Sequence, residues 1–255
     1  MTNQSTLSYT AIRTGTRIIE LENRCTGNRT VGSNPTLSAT LRQSAIYDPV
    51  ASDDRSRARS PLGISSMDEI VFREVDRETW SDFVSLFESR GGPKSCWCMV
   101  WRSTAAEAKQ RDGVNRRAAI QSRVDAGMPI GILGYCRGSA IAWCSIAPRS
   151  TYRPLGGMEA ATAETVWSLV CFFIKREFRG QGLADQVLRA AIEHAARNGA
   201  TVVEAYPVDA DSPSYRFMGF VETFGKAGFQ EVGRAGQRRH VMRLPISPPP
   251  GKKIS

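Results

Sequence analysis

The run Arg179-Gly180-Gln181-Gly182-Leu183-Ala184 has the residue types and spacing of a cradle for a large anion. Two glycines separated by one residue let the backbone turn sharply and approach a diphosphate that a Cβ would hold off. Leu183, Val187, Leu188, Ala191, Ile192 and Ala195 follow at helical spacing, with Asp185, Arg189, Glu193 and Arg197 opposite them, and Asn198-Gly199 closes the pattern. The turn therefore opens a helix, whose first unpaired N–H groups point at whatever lies above it. Such a helix end carries about half a positive charge, worth roughly 0.3–1 kcal/mol, and each amide hydrogen bond to a charged oxygen adds roughly 1.5–3 kcal/mol. A dinucleotide site is a poor match, because the third glycine is missing and the acidic residue about 20 positions on, Glu204, sits inside a strand pattern rather than at its end. No Gly-Lys-Ser/Thr occurs, which excludes a Walker loop.

Several elements must hold this cradle in place. Val166–Ile174 is continuously apolar and predicts a central strand buried on both faces. Residues 201–208 predict another strand, so strand, helix and strand form a right-handed parallel crossover. Upstream, residues 69–75 predict a strand, and residues 79–89 a helix with Trp80, Phe83, Val84 and Phe87 on one stripe, stopped by Gly91-Gly92-Pro93. Residues 105–126 read as a polar helix with a thin stripe of Val114, Ala118, Ile120 and Val124, ended by Gly127 and Pro129. Residues 130–136 and 140–146 are apolar runs joined by Arg137-Gly138-Ser139, a hairpin connection. Downstream, residues 219–227 predict a short helix, and residues 229–233 and 240–244 the last strands.

This order of buried strand, Arg-x-x-Gly-x-Ala, amphipathic helix, strand, short helix and Gly228-Phe229 resembles the GNAT superfamily of N-acetyltransferases. The resemblance covers residues 67–246 in element order, with the specific motifs confined to residues 172–229. It implies an α/β (α+β) fold with a mixed, mostly antiparallel central sheet flanked by helices. Acetyl-CoA would serve as co-substrate, with no metal. On the same grounds, the backbone of Phe172, Phe173 and Ile174 would pair with the pantetheine arm like an added strand. Arg179, Gly180, Gln181, Gly182, Leu183 and Ala184 would take the pyrophosphate. Lys175 and Arg176 would meet the outer phosphates or lie in solvent.

Acyl transfer to an amine needs a deprotonated nucleophile, a polarised thioester carbonyl and a proton for the departing thiolate. Glu204 and Glu164 are the candidate proton acceptors. Many family members carry a Tyr four residues before the Gly of the Gly-Phe pair, and this chain has Phe224 there, which cannot donate a proton. Tyr206 and Tyr215 are possible substitutes, with water as a third. Two readings follow: an enzyme that acetylates a primary amine of a small molecule or protein, or a catalytically silent CoA-binding regulatory module. The resemblance also allows a homodimer.

Cys96-Trp97-Cys98 places both thiols on one face if the segment is extended. A zinc site would need two more ligands, and the chain holds only His194 and His240, so buried hydrophobes are the expectation for the thiols. Trp97, Trp101 and Trp143 are candidates for an acceptor pocket or for core.

The net charge of +9 over 255 residues raises nucleic-acid binding. The basic residues are dispersed, with short groups at Arg55, Arg57 and Arg59 and at Arg234, Arg238 and Arg239, so a solvated surface or attraction to an anionic cofactor is expected instead. No apolar run of about 18 residues and no signal-peptide pattern occur, which predicts a cytoplasmic protein away from membranes. Residues 1–66 lack lysine and any sustained period. Gly32-Ser33-Asn34-Pro35 is what the T-arm of a transfer RNA gene encodes in one frame, so this stretch is expected to be disordered or a spurious translation, with the protein starting at Met67. Residues 247–255, with three consecutive prolines, are expected to be a loose tail.

Overall fold

The computed structural model describes residues 69–157, 161 and 163–247, so the expectations for residues 1–66, the start at Met67 and nearly all of the tail lie outside the described residues. The strands are β1 (Ile70–Glu74), β2 (Ile132–Cys136), β3 (Ser139–Pro148), β4 (Val166–Ile174), β5 (Val202–Ala205), β6 (Gln230–Ala235) and β7 (Arg239–Pro245). The helices are α1 (Trp80–Glu88), α2 (Gly113–Asp125), α3 (Leu183–Arg197) and α4 (Val221–Lys226). Among the described residues no helix is long and apolar enough to cross a membrane.

The seven strands form one sheet in the order β1-β2-β3-β4-β5-β7-β6. Only β4 and β5 run parallel, because α3 lies between them as a crossover; every other neighbouring pair is antiparallel. The expected mixed, mostly antiparallel sheet is what forms. β4 is the fourth strand of seven, which explains why its sequence has no wet face. The β2–β3 hairpin turns on Arg137 and Gly138, whose φ values of 50° and 75° suit a two-residue turn twisted with its strands.

Alternation along the strands sorts the core into two layers. Leu133, Trp143, Val170, Tyr206 and Val241 pack with Phe83, Phe87, Ile120 and Val124 of α1 and α2. Ile132, Ile141, Ile146, Leu169, Val203 and Met242 pack with Leu183, Val187, Leu188 and Ala191 of α3 and with Phe224 of α4.

The helix predicted over residues 105–126 is shorter. A single 3-10 turn, Glu107–Lys109, precedes a break, and Asp112 starts α2 by accepting the Asn115 amide at 2.8 Å. The side-chain cap competes with a continuous helix and wins at this point. Val114 is 79% exposed, and only Ile120 and Val124 of the predicted stripe are buried.

Candidate active site

β4 is longer than its parallel partner, and that mismatch creates the site. The β4–β5 ladder runs from Val166↔Val202 to Leu169↔Ala205 and stops, while the opposite edge of β4 stays paired to β3 as far as Ala142↔Ile174. Beyond Ala205 the chain enters Tyr206-Pro207 and then pairs with Phe220 and Arg239 through Val208. Val170 to Ile174 thus present an edge without a strand partner among the described residues, about 16 Å long at 3.3 Å per residue.

That edge leads into the glycine loop. Arg179 folds back, its Nε donating to the Ile174 carbonyl at 2.8 Å, and Gln181 Nε2 donates to the Glu177 carbonyl at 2.8 Å. Gly180 and Gly182 have φ of 75° and 73°, and a Cβ on either would meet nothing within 4 Å. Glycine is required here by the left-handed backbone rather than by crowding, and the space above the loop is open. Gly182 is the N-cap of α3 and no side chain caps that helix. The first-turn amides therefore face outward as a donor cluster for an anion. Leu183 contributes only backbone, since its side chain is buried, whereas Ala184 is exposed.

Where the two strands diverge, β4 carries a bulge that the sequence did not reveal. Ser145 faces Cys171 and Ile146 faces Leu169, so Val170 is an extra residue. Its insertion puts Val170 and Cys171 on the same side, both in the core layer of α1 and α2. The extra residue of a bulge is left unpaired in its ladder.

Glu204 and Tyr206 lie on that side of the divergence. Glu204 is fully buried, faces Ser168 of β4 and Arg243 of β7, and receives Arg243 Nε at 2.7 Å and Arg149 Nη1 at 3.3 Å. The Tyr206 hydroxyl donates to its Oε1. Arg243 also binds Glu164 at 3.2 Å, and Glu164 accepts the Ala161 amide at 3.1 Å. Both sequence-predicted carboxylates are thus tied to guanidiniums, and the lone pairs of Glu204 are turned to protein donors rather than to an approaching amine. Burial, followed by the Glu204 carboxylate, pushes the Tyr206 phenol well above its usual range, so it stays protonated as a donor.

Phe224 is a core residue. It is fully buried, with ring centroids 5.9 Å from Phe172 and 5.1 Å from Phe229. Gly219 makes room for it, because a Cβ there would lie 2.7 Å from the Phe224 ring.

The rest of the same face as Tyr206 is built by loops. Residues 148–150, 152–157 and 164–166 line a groove of about 680 Å³ that includes Arg149, Tyr152, Arg153 and Glu164. Beside it stand Trp101, Tyr206 and Tyr215 around the Arg239 guanidinium. Arg102, missed from the sequence, is buried and ties the loop after α1 to β3: it donates to Ile130 O at 2.8 Å, Ser145 Oγ at 3.1 Å and Tyr152 OH at 2.7 Å. Burial lowers its pKa.

Trp97 and Cys98 have φ of 48° and 53°, so the Cys96-Trp97-Cys98 segment is a compact turn and not extended. Consecutive left-handed residues cannot alternate faces as a strand would. Both thiols are buried, and Cys98 Sγ accepts the Trp143 indole N–H at 2.9 Å. Trp97 and Trp143 pack on Phe83 and Phe87 as core, and of the three predicted tryptophans only Trp101 reaches the loop face. Among the described residues no group of three or more His, Cys, Asp or Glu could hold a metal ion.

Residues 95–220 match the model of the acetyltransferase (GNAT) family, and the chain carries a GNAT acetyltransferase domain. It is an acyltransferase, of a family that moves acetyl groups from acetyl-CoA to amine acceptors. Solved structures similar to the chain include an N-acetyltransferase of Staphylococcus aureus Mu50, at 14% identity and TM-score 0.42 over 69% of this chain and 98% of that one. A ribosomal-protein-alanine N-acetyltransferase of Brucella melitensis shows 17% identity and TM-score 0.43 over 69% and 99%. A GNAT-family acetyltransferase of Streptococcus pneumoniae shows 14% and 0.43 over 70% and 100%. No match was found among curated protein sequences.

Proposed function

We propose that residues 67–246 form an N-acetyltransferase that moves the acetyl group of acetyl-CoA onto a primary amine, with the acceptor arriving from the loop face. The observation that supports this most is the continuity of the unpaired β4 edge with the glycine loop and the uncapped start of α3. In this reading the backbone of Phe172, Phe173 and Ile174 pairs with the pantetheine amides, and the loop from Arg179 to Ala184 holds the pyrophosphate. Bound acetyl-CoA supplies an activated acyl group.

The chain's own residues then have three tasks. The Val170 bulge presents a backbone donor to the acyl oxygen. When acetyl-CoA binds, the Tyr206 hydroxyl turns its one proton from Glu204 toward the leaving sulfur, which needs little help because a thiolate is far more stable than an alkoxide. Glu204, held by Arg149 and Arg243, is a positioning residue that orients Tyr206. The acceptor amine sheds its proton to water, since the carboxylates are already engaged.

Thiol release from acetyl-CoA, measured with the full chain over a panel of primary amines, tests the reading. Tyr206→Phe is expected to lower kcat by about tenfold with CoA affinity unchanged, less than the roughly hundredfold or more of a full proton-transfer group. With amine loss of a proton to water, kcat/KM should rise with pH toward the amine pKa of about 10. CoA binding without turnover on any amine would instead make this a binding module.

A further inference from the structure

Arg239 is a guanidinium held by rings rather than by carboxylates. It lies 4.5 Å from the centroid of Trp101, 5.5 Å from Tyr215 and 5.8 Å from Tyr206. Its Nη1 donates to the Leu155 carbonyl at 2.9 Å, and no acidic side chain pairs with it among the described residues. A guanidinium has five N–H donors, so most of these are unclaimed. Burial lowers its pKa, opposed only by the two phenols.

Three further features mark the same place. Arg153, exposed at the groove, has its guanidinium 5.9 Å from the Trp101 ring centroid. The Trp101 indole N–H is buried without an acceptor among the described residues. Tyr215 sits at φ 61°, a conformation that a bulky residue keeps only where its surroundings enforce it. The nearby carboxylates are occupied: Glu204 and Glu164 by Arg243, and Asp209 by His240 at 3.1 Å. Tyr206 links this box to the end of the β4–β5 ladder, next to the Val170 bulge.

We propose that Arg239, assisted by Arg153, binds a carboxylate on the acceptor, so that the substrates are small amines bearing a carboxylate, of the amino-acid class. The rings hold the guanidinium plane in one orientation, which suits the two parallel hydrogen bonds of a carboxylate and keeps water from competing for them. The proposal rests on the acetyltransferase reading above, and its test separates the two.

The full chain, saturated with CoA, is titrated calorimetrically with a panel of N-acetyl amino acids, their carboxamides and the matching N-acetyl aminophosphonates. At least one carboxylate is expected to bind about tenfold tighter than its amide, and Arg239→Gln to remove that preference, the loss of one charge-assisted pair. Arg239→Lys should restore part of it, since it keeps charge without the planar fork. Steady-state rates with the parent amines should show KM for the acid rising about 30-fold in Arg239→Gln while kcat and the amide's KM stay within about threefold. CoA affinity, unchanged in the variants, reports that they are folded; should Arg239→Gln not fold, Arg153→Gln at its exposed position is expected to weaken the acid selectively by about threefold. Equal binding of acid and amide to the native protein, preference for the phosphonate, or parallel loss of acid and amide in the variants would overturn the proposal. Selective carboxylate binding by a chain that fails to bind CoA would uphold the anion site and overturn the acetyltransferase reading.

Discussion

The half of this protein proposed to hold the donor and the half proposed to hold the acceptor, called the donor and acceptor halves below, are built in opposite ways. The donor half is one stretch of chain: strand β4, the glycine loop and α3 follow each other, and their groups for a ligand are backbone N–H and C=O. The acceptor half is assembled from Trp101, Tyr206, Tyr215 and Arg239, which reach the same place from four separate segments, and its groups are side chains. Backbone groups tolerate almost any side chain around them, so the donor half is defined by turns and periodicity. Side-chain groups change with every substitution, so the acceptor half can change specificity without disturbing the fold.

The sharpest break of this contrast is at Glu204, which anchors the acceptor half from inside. Glu204→Ala removes the buried carboxylate shared by Arg243, Arg149 and the Tyr206 hydroxyl. It is expected to lower the unfolding free energy by about 3–5 kcal/mol in urea titrations, whereas a carboxylate serving only as catalytic base would leave stability intact.

His194, on the inner face of α3, ties the donor half to pH. It is buried with its ring 5.5 Å from Trp167, and burial, with Arg197 nearby, lowers its pKa from 6.5 to about 4. The unfolded chain takes up this proton first as pH falls. The protein should therefore keep its full stability above pH 6.5 and lose up to about 3 kcal/mol between pH 6.5 and 4. His194→Gln should flatten that part of the pH–stability curve, and an unchanged slope would assign it elsewhere.

Within the cradle itself, Ala184→Glu is a cleaner probe than any change at Gly182, whose left-handed φ of 73° penalises a side chain by about 1–2 kcal/mol. The new carboxylate at the uncapped start of α3 should weaken CoA binding about 100-fold, or about 2.7 kcal/mol, by calorimetry. Its melting temperature should barely move. Smallest of all, Val114→Ser should change stability by less than about 0.5 kcal/mol, because this predicted core position is 79% exposed.

Legibility followed the same division. The continuous apolar run Val166–Ile174, the helical stripe of α3 and the glycine spacing are properties of neighbouring residues, and they give the strand, the turn and the helix in the order observed. Phe224 was noticed as a missing hydroxyl, yet its packing against Phe172 and Phe229 makes it core. The extended reading of Cys96-Trp97-Cys98 failed because two left-handed residues in a row leave no local trace in side-chain pattern. Glu204 was legible as an acidic residue in a strand, but its pairing with Arg243 depends on the β5–β7 register.

What the sequence determined by itself was the local frame of the proposed donor site: hydrogen bonding and hydrophobic period act over a few residues, so a strand, a glycine turn and an amphipathic helix are recognisable where they stand. Only the tertiary structure decided that β5 ends before β4 does, that Val170 is an extra residue opposite Ser145 and Ile146, and that Arg239 lies among Trp101, Tyr206 and Tyr215. Those outcomes depend on the register and packing of segments as much as 138 residues apart, from Trp101 to Arg239, which no local pattern records.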